Sequence, residues 1–120
     1  VFLADTDADL PNDTAEIAAE DASIVMTALY FEGSGQLKIE RQAGAAKAGR
    51  SFELWLIEGG NAPISLGVMP EVESGVMIVD EALRARFKGA VLAISDEPEG
   101  GSPTGSATGP VLAIGPVLGA

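Results

Sequence analysis

The sequence predicts an all-β fold, an antiparallel β-sandwich of about seven to eight strands with one short helix, preceded by an acidic tether. Three observations predict it. From Ile24 onward, short apolar runs are punctuated by Gly, Pro, Asn and Ser at intervals of about ten residues. Apolar residues make up 47% of the chain but aromatic residues only 5%, so the core must be built mainly from Val, Ile, Leu and Ala. Residues 1–23, by contrast, are acidic and poor in large apolar side chains, which sets them apart from a domain spanning residues 24–120.

Within the N-terminal part, Asp13 followed by Glu16 has capping-box character and predicts a short helix over Thr14 to Ala22. Ile24 to Phe31 then reads as a strand covered on both faces, and Glu32-Gly33-Ser34-Gly35 as a hairpin loop leading to Gln36–Arg41. In that second strand Leu37 and Ile39 alternate with Gln36, Lys38 and Glu40, so the two strands should pair. A small, cationic connection from Gln42 to Arg50 precedes a strand over Phe52 to Ile57. Glu58-Gly59-Gly60-Asn61 supplies a turn, and Pro63 opens a strand from Ile64 to Met69. Val76 to Val79 is a short strand, and Asp80 is positioned to cap a helix from Glu81 to Phe87 that ends at Gly89. Ala90 to Ser95 and Val111 to Ile114 are the last strands, joined by a polar Gly/Pro loop. Gly115-Pro116 suits a strand end.

Eighteen acidic residues against seven basic ones give a net charge of −11. Such a field repels phosphate backbones and anionic lipid headgroups, so neither nucleic acid nor a membrane surface is an expected partner. The chain has no His and no Cys, which removes Ser-His-Asp and Cys-His machinery, imidazole acid–base chemistry and thiolate metal sites. An enzyme is not expected, nor is a cofactor. No run approaches the ~20 apolar residues that span a bilayer. The start on Val1-Phe2-Leu3-Ala4, with no Met, suggests a piece of a longer protein beginning after a hydrophobic segment.

Asp5, Asp7, Asp9, Asp13 and Glu16 copy the oxygen-ligand spacing of an EF-hand calcium loop. Leu10, however, stands where that loop turns on glycine, and Asn12 replaces an apolar residue, so a solvated tether is the favoured reading over a metal site. The glycine-rich Gly100–Gly105 stretch lacks a phosphate-binding lysine and follows Asp96, Glu97 and Glu99, which favours a tight connection over an anion cradle. Asp80/Glu81 and Asp96/Glu97 are adjacent pairs, and strand neighbours point to opposite faces, so neither is a facing catalytic pair. Trp55 on an apolar strand reads as core rather than as a ligand-stacking residue.

A multi-part motif runs through the second half of the chain. It comprises Phe52-Glu53-Leu54-Trp55-Leu56-Ile57, then Ser65-Leu66-Gly67, then Leu92–Ser95 leading into Glu97-Pro98-Glu99-Gly100-Gly101-Ser102-Pro103-Thr104-Gly105, and last Thr108-Gly109-Pro110-Val111-Leu112. This motif resembles the C-terminal domain of the anti-sigma-K factor (RskA) family over about Ile24 to Gly115, with small departures at Ile94, Asp96 and Ala107. Its residues have a structural reading: Glu97 is placed to accept backbone amides of its own loop, Pro98 to fix the turn and Gly100-Gly101 to permit close approach.

The resemblance implies the outer, extracytoplasmic domain of a single-pass inner-membrane protein, on its periplasmic face. The missing cytoplasmic part would sequester an extracytoplasmic-function sigma factor, and the present domain would control access of a site-1-type protease to the juxtamembrane segment. On this reading Asp5 to Ser23 is the tether, cut first, with Ile24 onward left intact. The competing class is a secreted or surface β-sandwich adhesion or ligand-binding module, using calcium at Asp5 to Glu16.

Overall fold

The computed structural model describes residues 10–119. Among them nine strands are formed: β1 (Asp13–Ala18), β2 (Val25–Phe31), β3 (Gln36–Ala43), β4 (Arg50–Ile57), β5 (Ile64–Val68), β6 (Ser74–Ile78), β7 (Val91–Pro98), β8 (Val111–Pro116) and β9 (Leu118–Gly119). A 3₁₀ helix covers Glu81–Arg86. The strands follow one antiparallel path, β5-β4-β7-β8-β1-β2-β3-β6, with β9 set against the start of β1. The sheet curls over a single apolar core into a nearly closed, sandwich-like barrel, as the all-β expectation required.

Alternation explains the closure. Leu54 and Leu56 on β4, Leu92 and Ile94 on β7, Met26 on β2 and Leu37 on β3 all turn inward and are almost fully buried, as residues of period two on a one-sided core must be. The expected hairpin is formed, with β2 and β3 in register from Phe31↔Gln36 to Met26↔Arg41. Gly35 closes its turn at φ 74°, a conformation that costs a residue with a Cβ. Tyr30 stacks on Phe87 at 4.0 Å, and its hydroxyl donates to the Arg84 carbonyl, so the 3₁₀ helix plugs one end of the core.

The N-terminal expectation is corrected. Thr14 to Ala22 holds no helix; Asp13–Ala18 is β1, paired with β2 over six residues from Asp13↔Tyr30 to Ala18↔Val25. Asp13, Ala15 and Ile17 point inward and Glu16 outward. That is a strand period, and its burial outweighs a capping signal that offered a helix only one large apolar anchor. Much of the segment expected as tether thus lies in the middle of the sheet.

Other boundaries moved by a few residues. β3 runs on to Ala43 and β7 to Pro98, so Glu97 is a strand residue, not a loop residue. Asp80 makes no side-chain cap; its carbonyl accepts the Leu83 amide instead. Gly115-Pro116 continues β8. A Cβ on Gly115 would stand 1.9 Å from the Glu16 carbonyl oxygen, so glycine is what lets β8 cross against β1.

Candidate functional site

β4 and β7 are buried on both faces because the sheet is covered twice here. Their second face carries Ser51, Glu53 and Trp55 on β4 and Ala93, Ser95 and Glu97 on β7, matched as Ser51↔Glu97, Glu53↔Ser95 and Trp55↔Ala93. All six are buried. Four of them, Ser51 at 9%, Glu53 at 5%, Ser95 at 0% and Glu97 at 0% exposure, are polar groups that must find partners or cost stability.

The loop between β7 and β8 supplies those partners. Glu97 accepts from Thr108 Oγ1 at 2.6 Å, from the Thr108 amide at 3.2 Å and from the Gly109 amide at 3.3 Å. Ser95 Oγ donates to Glu97 Oε2 at 2.6 Å while accepting Trp55 Nε1 at 2.8 Å. A continuous chain therefore runs from the indole through the serine and carboxylate to the loop backbone. Glu53 anchors the other arm, accepting the Ser102 amide at 2.6 Å and the Ser65 hydroxyl. Ser51 Oγ accepts the Gly100 amide at 3.1 Å.

The glycines in this motif answer to space. A Cβ on Gly109 would sit 1.7 Å from the Asp96 carbonyl oxygen, a backbone atom that cannot swing away. At Gly101, φ is 104°, and a Cβ would press on Val68 and Glu53. Pro98 accepts the Gly101 amide at 2.8 Å, closing the turn. At the loop tip the Thr104 amide donates to Ser102 Oγ, and Pro103, Thr104 and Gly105 are exposed.

Burial raises the Glu97 pKa, but the hydrogen bonds from Ser95, the Thr108 side chain and the Thr108 and Gly109 amides outweigh it, so the carboxyl titrates below its ordinary value. An ionised carboxylate held by this many donors is a fixed acceptor. It has no water-facing oxygen with which to reach a substrate, as general acid–base work requires.

The structure thus gathers Glu53, Trp55, Glu97, Pro98, Gly100, Gly101, Ser102, Thr108 and Gly109 into one clamp. Leu54 faces the core from the opposite side of β4. Leu66 and Gly67 lie on β5, where Gly67 pairs with Leu54 at a bulge in the ladder. Trp55 is buried as expected of a structural residue, yet on the second face rather than in the main core. The sequence reading missed Ser51, and placed Ser65 and Ser95 within the motif without giving either a role. The signal was present as Ser51-x-Glu53-x-Trp55 facing Ala93-x-Ser95-x-Glu97, two strands with polar residues on one face.

Of the acidic calcium-like residues, Asp5, Asp7 and Asp9 lie outside the described residues. Asp13 is buried and Glu16 exposed on opposite faces of β1, so these two do not converge on one ion. Asp13 faces Lys88 Nζ at 3.5 Å instead. Among the described residues no three carboxylates are grouped to hold a metal, and no helix is long and apolar enough to cross a membrane.

Comparison with known proteins agrees with the motif. No curated protein and no solved structure matches the chain. The family model described as anti-sigma-K factor RskA, C-terminal, matches residues 2–111, nearly the whole chain. The chain therefore belongs to the RskA C-terminal family of anti-sigma factor domains.

Proposed function

We propose that this chain is the extracytoplasmic regulatory domain of a membrane-anchored anti-sigma factor, and that its folded state governs the proteolysis that releases the sigma factor. The family match over residues 2–111 carries this reading. The position of β1 adds a physical rationale. A protease needs an extended, unpaired substrate strand, and Asp13–Ala18 is paired on β2 with Ala15 and Ile17 buried, so a first cut falls upstream of Asp13 while the domain is folded. Regulation then acts through the stability of the sheet that holds β1. The sigma factor is bound by another part of the protein, and the partner at this end is the protease.

The test uses the full-length protein in its host. Alkaline phosphatase fused after the domain should be active, because that enzyme matures only outside the cytoplasm. Destabilising the domain with Glu97→Ala should raise transcription from the cognate sigma factor's promoters severalfold and increase the cleaved fragment. An inactive fusion, or unchanged transcription and cleavage in a destabilised variant, would contradict the proposal.

A further inference from the structure

Beyond the first-described clamp, the far end of β1 opens an unassigned groove of about 820 Å³, within the size range of ligand sites. It arises from an incomplete seam in the barrel. β8 pairs along β7 from Val111 to Pro116, but among the described residues its only paired position with β1 is Ala18↔Ile114. Beyond Ala18 the chain turns back toward β2, with Ala22 at φ 62° and the Ala19 amide bonded to the Ile24 carbonyl. Among the described residues Val111–Ala113 is left without a ladder partner on that side. Sheet edges of this kind take up extended chains.

The walls specify what chemistry fits. Val111 and Ile114, 54% and 57% exposed, offer apolar contact beside the buried Ile24 and Phe52. Glu20, Asp21 and Asp96 line the groove against one cation, Lys47. Asp96 is engaged by Arg50 at 3.1 Å; Glu20 and Asp21 are exposed, with one Asp21 oxygen accepting the Ser23 amide and hydroxyl. This field selects a cationic occupant and opposes two others. The chain's own N-terminal segment would bring Asp5, Asp7 and Asp9, and a second copy would bring another net charge of −11.

We propose that the groove is a peptide-binding site, in which an extended segment alternating apolar and basic residues adds as a short strand along Val111–Ala113, its cations toward Glu20 and Asp21. This site is independent of the proteolytic reading above. The unpaired edge accommodates about three to five residues at ~3.3 Å each.

Fluorescence anisotropy with a labelled eight-residue peptide of alternating Val and Lys tests it, beside the same peptide with Glu for Lys and one N-methylated at alternate residues. The Val/Lys probe should bind at least tenfold more tightly than either control. Val111→Lys should weaken binding at least tenfold and Glu20→Lys severalfold, both with unchanged melting temperature. Amide shifts should cluster at Ala18–Ile24 and Val111–Ile114. Equal affinity for the Val/Glu peptide, undiminished binding after N-methylation, shifts centred instead on Val76 and Ile78 of β6, or no binding at millimolar peptide would each overturn the proposal.

Discussion

Glu97→Ala should lower the melting temperature by roughly 15 °C, equivalent to about 3–5 kcal/mol for a domain of this size. The substitution removes the acceptor for Ser95 Oγ, Thr108 Oγ1 and two loop amides at once. Ser95 Oγ would remain fully buried and the loop donors part-buried, where an unmade hydrogen bond costs more than a made one contributes. Glu97→Gln keeps the shape but turns an NH2 toward one set of donors, and should cost about 2–3 kcal/mol.

The same carboxylate gives a pH signature. Because its folded pKa lies below the unfolded value, its contribution is fully present above the ordinary carboxyl pKa and is lost as pH falls through the folded value. Melting curves of the wild type should therefore fall in acid, below the ordinary carboxyl range, with a steeper slope than those of Glu97→Gln. A shift under about 3 °C in Glu97→Ala, or parallel pH slopes, would remove Glu97 from the structural account.

Removing residues 1–18 should leave the remaining chain without a cooperative melt. β1 joins the two halves of the sheet: on one side β2, on the other β8 and β9. Its loss uncovers Met26, Ala28 and Tyr30 on β2, all of which are buried in the complete domain. A domain beginning at Ile24 was the expectation from composition, and it would have made this truncation harmless. Circular dichroism decides the matter: a truncated chain that retains β signal and melts within a few degrees of the intact domain would show that β1 is dispensable. The outcome also bears on regulation, since a cut upstream of Asp13 spares the fold and one after Ala18 destroys it.

The contrast between these two regions explains what could be read from sequence. The strands from Val25 to Ile57 carry strong alternation or continuous apolar runs bounded by Gly, so their type and the pairing of the first two were legible, and only their ends moved. β1 was not, because Ala15 and Ala18 are weak signals and Ile17 alone cannot report a period. Its burial is decided by partners far away in the chain, Tyr30 and Leu118 among them, which no local window contains. β9, only two residues long, escaped for the same reason.

At the clamp, the motif residues were identifiable and Glu97 could be assigned as an acceptor for loop amides. The second arm at Glu53 was hidden, because its partner Ser102 is forty-nine residues away. Tertiary register alone brings Ser51, Glu53 and Trp55 beside Ser95 and Glu97. The serines that complete the network look like ordinary surface-facing strand residues until a loop is laid over them.

Native-state hydrogen exchange at the Thr108 and Gly109 amides tests most directly the claim that the family motif is a structural clamp. Both lie in a stretch without regular secondary structure, and Thr108 is exposed, so ordinary loop behaviour would exchange them quickly. Donation to Glu97 should instead protect them at a level approaching global unfolding, with that protection lost selectively in Glu97→Gln. Exchange as fast as that of neighbouring Ser106 and Ala107 in the wild type would contradict the account.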